Sequence, residues 1–129
     1  MSEREEFVRF LHKMDLEVDP QGGCAICLDG QRDIYLTLNH NHHLVASTIL
    51  GTTAPSKYRE LLFLSALKKN EEYPRVGIFS YDAQTSEWIF FQEIPFGKIS
   101  SESCHSFLFH FGECAGNYTL SLNRGELFS

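Results

Sequence analysis

The residue types best suited to chemistry are four cysteines and six histidines, and two places bring them close in sequence. Two residues separate Cys24 from Cys27, twelve separate Cys27 from His40, and two separate His40 from His43. That order comes near the Cys2His2 pattern of a structural zinc site, but such sites typically place about three to five residues between histidines carried on a helix. Here the intervening chain holds the hairpin dipeptide Asp29-Gly30 and an alternating apolar and polar run, so no helix is expected to present His40 and His43. Cysteines three apart in one strand also point their thiols to opposite faces. The arrangement reads as a solvated turn carrying His40, His42 and His43 beside two small strand cysteines. The second place is Cys104 next to His105, where neighbouring helical side chains diverge by roughly 100° and cannot act as nucleophile and base on one another. The sequence contains no glycine-rich phosphate loop, no G-x-S-x-G, no H-E-x-x-H and no suggestive carboxylate pair. We therefore expect no enzymatic activity, no metal and no cofactor.

The elements that hold these residues centre on 75–95. Two β-rich runs, 76–81 and 88–94, flank the turn-prone segment 82–86, as in a hairpin with a longer loop. Val76, Ile78, Phe79, Tyr81, Trp88, Ile89, Phe90, Phe91 and Ile94 leave little alternation, which predicts cover on both faces. Upstream, Phe7, Phe10, Leu11 and Met14 recur at helical spacing within 2–14, and Ser2 with Glu5 gives a helix-start signature. Such a stripe ordinarily docks on its own sheet, although a surface rich in Phe and Met can also adapt to a partner. Residues 19–23 break the pattern. Strands are then predicted at 24–28, 33–39 and 44–50, forming an antiparallel meander in which Ile34, Leu36 and Leu38 share one face.

The helix expected over 56–69 is apolar almost all round. Tyr58, Leu61, Leu62 and Ser65 lie on one side and Phe63, Leu64 and Leu67 roughly opposite. One sheet covers one side of a helix, so the other side predicts a subunit interface. A last helix is expected from Ser100 to about Ala115 on a stripe of Cys104, Phe107, Leu108 and Phe111, stopped by Gly116-Asn117. The tail, about 117–129, is expected to add an edge strand or to stay mobile.

A chain of 129 residues with 43% hydrophobic residues makes one domain with its own core. Its formal charge of -6, with no basic run longer than Lys68-Lys69, argues against nucleic-acid binding. No apolar run approaches the ~18 residues of a membrane span. The polar, acidic start of the chain predicts a cytoplasmic protein with reduced thiols.

The predicted order is α+β: helix, three-stranded meander, helix, hairpin, helix. Together with Ile34-Tyr35-Leu36-Thr37-Leu38, Val76-Gly77-Ile78-Phe79-Ser80-Tyr81-Asp82 and Trp88-Ile89-Phe90-Phe91-Gln92-Glu93-Ile94-Pro95, it resembles the class I type III secretion chaperones of the Tir chaperone (CesT-like) family. The resemblance implies a cytoplasmic bacterial dimer, pairing with itself or with a related chaperone. It would bind the non-globular N-terminal region of a secreted effector and keep it secretion-competent. On that basis Phe7, Phe10, Leu11, Met14, Ile34 and Leu36 are candidate effector contacts. Leu61, Leu64, Leu67, Val76 and Ile78 are candidate dimer contacts. The histidine turn and the Cys24/Cys27 pair depart from the family pattern. An alternative reading is a non-enzymatic regulatory module that dimerises and acts on cytoplasmic machinery.

Overall fold

A computed structural model describes residues 2–28, 32–73 and 76–129. The expected turn at Asp29-Gly30 lies outside the described residues. The first helix, α1 (Glu3–Lys13), starts where the Ser2 hydroxyl accepts a hydrogen bond from the Glu5 N–H, with Glu3, Glu5 and Glu6 against the positive end of the helix dipole. It ends in a Schellman turn: the Asp15 N–H donates to the His12 carbonyl and the Leu16 N–H to the Leu11 carbonyl, with Asp15 in the left-handed region at φ 59°. The next reversal is organised by Asp19, whose carboxylate accepts from the Gln21 and Gly23 N–H groups. Gly23 is needed there because a Cβ would come within 2.4 Å of the Tyr35 ring.

Five antiparallel strands follow: β1 (Cys24–Leu28), β2 (Arg32–Leu38), β3 (His43–Thr52), β4 (Ile78–Asp82) and β5 (Glu87–Pro95), in the spatial order β1-β2-β3-β5-β4. Cys24 sits opposite Leu36, Leu36 opposite Ala46, and Phe79 opposite Phe90. Period-two alternation therefore gathers Ile34, Leu36, Leu44, Ala46, Phe79, Trp88 and Phe90 on one face, where all are buried. The opposite face presents Tyr35, Val45, Ile49, Ile78, Ile89 and Phe91, which are half-buried or exposed. The cover expected on one face of the central hairpin is the chain's own; the second face is open in the single chain.

Helix α2 (Lys57–Glu71) buries Leu62 and Ala66, and Phe63 packs edge-on against Tyr81 with centroids 5.0 Å apart. Its last turn lies along the outer edge of the sheet, where Asn70 replaces a missing strand. The side-chain amide donates to the Phe79 carbonyl at 3.0 Å, and its oxygen accepts the Phe79 N–H at 2.8 Å. This closes the β4 edge against further pairing.

Helix α3 (Ser101–Asn123) begins in a reciprocal capping box between Ser100 and Ser103. It does not stop at Gly116-Asn117, and the tail adds no strand. Cys104, Leu108, Phe111 and Ala115 are buried, and Tyr118 and Leu122 prolong the same stripe against the sheet. Burial along that stripe outweighs the roughly 1 kcal/mol that a glycine costs inside a helix. The helix ends at a second Schellman turn, with Gly125 at φ 69° donating to Leu122 and Glu126 donating to Ser121.

Candidate functional site

Two of the surfaces that could receive a partner are the sheet's free edge and the outer face of α2. The free edge belongs to β1. Among the described residues, no backbone group from outside the sheet hydrogen-bonds to residues 24–28. The two edges of the sheet are thus treated differently, one closed by Asn70 and one left open.

A groove flanks β1 on each face of the sheet. On the helix side, Leu28, Phe109, Gly112, Gly116 and Leu120 line one of about 560 Å³. Gly112 lets Leu28 pack close to α3, since a Cβ there would meet the end of the Leu28 side chain at 2.9 Å and push it aside. Phe109 and Leu120 stand exposed at its rim. On the open sheet face, Ala25, Tyr35, Ser47, Ile49 and Ile89 line a second groove of about 670 Å³.

Arg32 ties the end of this region together. Its guanidinium donates to the Thr48 hydroxyl, the Ile49 carbonyl and the Thr119 hydroxyl, and the Thr119 hydroxyl in turn donates to the Leu50 carbonyl. Burial lowers the pKa of this guanidinium from its ordinary value. No local sequence signal marks this link, because its partners lie 16 to 87 residues away.

The outer face of α2 carries Leu61, Leu64 and Leu67, which are 43%, 59% and 61% exposed. Leu61 joins the other two rather than sharing a face with Leu62, which is fully buried. Val76 and Ile78 are half-buried beside the groove that also contains Tyr73 and Phe91. The five residues expected at a dimer interface therefore fall into an exposed leucine stripe and a half-buried pair at the start of β4.

The six residues expected to contact an effector have a different setting. Phe7, Phe10, Leu11, Met14, Ile34 and Leu36 are at most 8% exposed. Phe7 and Phe10 meet the ring of Phe96 edge-on at 6.1 and 5.1 Å, which seals the end of α1 onto the short turn after β5. In the single chain the stripe is therefore docked within the protein, the ordinary reading of such a helix. Helix α1 is held by its own sheet, since burying all four side chains satisfies more apolar surface than leaving any of them wet.

The chemistry-bearing residues are dispersed. Cys24 is buried and Cys27 exposed, as opposite strand faces require. Among the described residues, no three His, Cys, Asp or Glu side chains converge as metal ligands. Cys104 is fully buried and His105 exposed, and burial pushes the Cys104 thiol up to about 11. Burial, reinforced by Asp19, also raises the Cys24 thiol. Brief iodoacetamide treatment at about pH 8 is therefore expected to label Cys27 first and to spare Cys104 until the chain unfolds. Peptide mass spectrometry reads the order, and early labelling of Cys104 would contradict it.

No individual curated protein matches the chain. The solved structures it resembles include the HopA1-SchA chaperone-effector complex, with a TM-score of 0.66 and 16% identity over 90% of this chain and 93% of that one. Another is the Yersinia pestis type III secretion chaperone SycH in complex with a stable fragment of YscM2, at 0.68 and 18% over 87% and 98%. A third is the ExsC-ExsE complex, at 0.69 and 15% over 92% and 95%. At these identities the likeness establishes a shared fold. The model of the Tir chaperone protein (CesT) family matches residues 5–112, most of the chain, including the sheet, all of α2 and α1 from Glu5 onward, and the protein belongs to that family.

Proposed function

We propose that this protein is a type III secretion chaperone that receives an extended segment of a secreted effector along the free edge of β1. The observation that supports this most directly is the unequal treatment of the two sheet edges. An added strand would extend the antiparallel ladder through main-chain hydrogen bonds. Because successive side chains of a strand alternate between faces, such a segment would feed one set into the groove at Phe109 and Leu120 and the other into the groove at Tyr35 and Ile49. Main-chain pairing then supplies affinity and the grooves supply selectivity. The buried residues of α1 and β2 hold this platform in shape rather than touching the segment.

Two copies would meet through the leucine stripe of α2, which lies away from β1 at the other end of the sheet. Both roles need binding surfaces and no reacting group. Membership of the family supports a non-enzymatic role in the bacterial cytoplasm.

The test is co-expression with the N-terminal regions of candidate secreted proteins, followed by native mass spectrometry and hydrogen exchange. The expected result is a complex of two chains with one effector segment, in which the amides of 24–28 gain protection. Capture of a folded partner with no change at β1 would reject this reading in favour of a regulatory subunit.

A further inference from the structure

The last five residues lie beyond the family match and beyond the end of α3, yet they carry a buried aromatic. The Schellman turn at Gly125 sends the chain back across the molecule, and Phe128 is only 4% exposed. Its ring stacks on Phe79 of β4 at 4.4 Å and 23°, meets Trp88 of β5 at 5.3 Å, and meets Tyr118 of α3 at 5.7 Å. Two residues earlier, the Glu126 carbonyl accepts the Tyr58 hydroxyl at 2.6 Å, and Tyr58 stands in the first turn of α2. This short tail therefore touches α2, the central hairpin and α3 at once.

Helix α2 has other anchors in its first half: the Phe63 ring lies 5.0 Å from Tyr81 and 5.1 Å from Trp88, and the Arg59 guanidinium donates to the Tyr81 hydroxyl at 3.4 Å. The helix buries only Leu62 and Ala66 completely, and one side of it is the exposed leucine stripe. Asn70 fastens its last turn to β4. The tail fastens its first.

We infer that residues 125–128 form a strap that holds the N-terminal half of α2 against the sheet and thereby fixes the position of its leucine face. The strap acts within one chain and does not depend on dimerisation; its effect on self-association rests on the reading that α2 joins two copies. Without the strap, the first half of α2 would keep only the contacts of Arg59 and Phe63 with Tyr81 and Trp88, and its first turns would open more readily.

Hydrogen exchange on full-length variants tests this. Phe128→Ala is expected to speed exchange of the α2 amides by about tenfold or more relative to those of β3, as expected when a buried ring is lost from one side of an element. Tyr58→Phe removes one hydroxyl and leaves the core intact, so a smaller rise confined to the first half of α2 is expected. It serves as the decisive variant where Phe128→Ala fails to fold. An equal rise in every element of Phe128→Ala would show Phe128 to be an ordinary core residue, and unchanged α2 exchange in both variants would equally overturn the strap. Light scattering on the same samples separates the two layers. Faster α2 exchange with a wild-type monomer keeps the strap and rejects the dimer, whereas a wild-type dimer that dissociates more readily in Phe128→Ala supports both.

Discussion

Leu64→Asp is expected to leave the fold of the single chain intact and to abolish the self-association proposed for α2. Leu64 is 59% exposed, so in the isolated chain the substitution costs little beyond the lower helix propensity of aspartate, about 0.5 kcal/mol. In a face-to-face dimer the same carboxylate would be buried without a partner, at a cost of about 3–5 kcal/mol. Twofold symmetry brings in two such charges, so the dissociation constant should rise at least a hundredfold or so. Light scattering across a dilution series measures it directly. An unchanged mass with a native circular dichroism spectrum would move the interface off α2.

Phe10→Asp should behave in the opposite way and fail to fold. Phe10 also lies on an amphipathic helix, but its ring is 8% exposed and set edge-on against Phe96. An ionised carboxylate in that position loses the aromatic contacts and must shed its hydration without any compensating bond, a penalty well beyond about 4 kcal/mol. Domains of this size have about 5–15 kcal/mol of stability in all. Urea denaturation followed by circular dichroism, with Phe10→Leu as the tolerated control, gives the comparison. A folded Phe10→Asp protein that had lost only effector binding would restore the α1 stripe as a contact surface and imply that α1 swings away from the sheet.

These two helices illustrate what a hydrophobic stripe can and cannot say. Helix α1 is predicted from a single apolar stripe and α2 from apolar residues almost all round, and both helices form. Which stripe is core and which is surface depends on what lies across from it. Phe7, Phe10 and Leu11 face a sheet assembled from residues 24–50, with Phe96 closing the end. Leu61, Leu64 and Leu67 face outward because α2 packs on the β4 side of the sheet through the opposite side chains, Leu62, Phe63, Ala66 and Asn70. A single asparagine near the end of a helix carries no mark that it will stand in for a strand.

The end of the chain shows the other failure of local reading. Gly116-Asn117 has the composition of a helix stop, and Tyr118, Leu120 and Leu122 alternate as a strand would. The stripe Ala115, Tyr118, Leu122 continues the helical period instead, and only the presence of Phe79 and Phe90 beneath Tyr118 makes that continuation favourable. Once the helix runs on, its true stop falls at Gly125, and Phe128 reaches a pocket made by β4, β5 and α3.

The amino-acid sequence by itself determined the order and type of the main elements, the meander and the hairpin, because periodicity, capping residues and turn residues act over a few neighbouring positions, and the resemblance carried by those segments pointed to the family. Only the tertiary structure decided which apolar faces remain open, which sheet edge stays free, and where the last helix ends. Those outcomes depend on contacts between residues tens of positions apart, whose burial energy exceeds the local preferences that can be read along the chain.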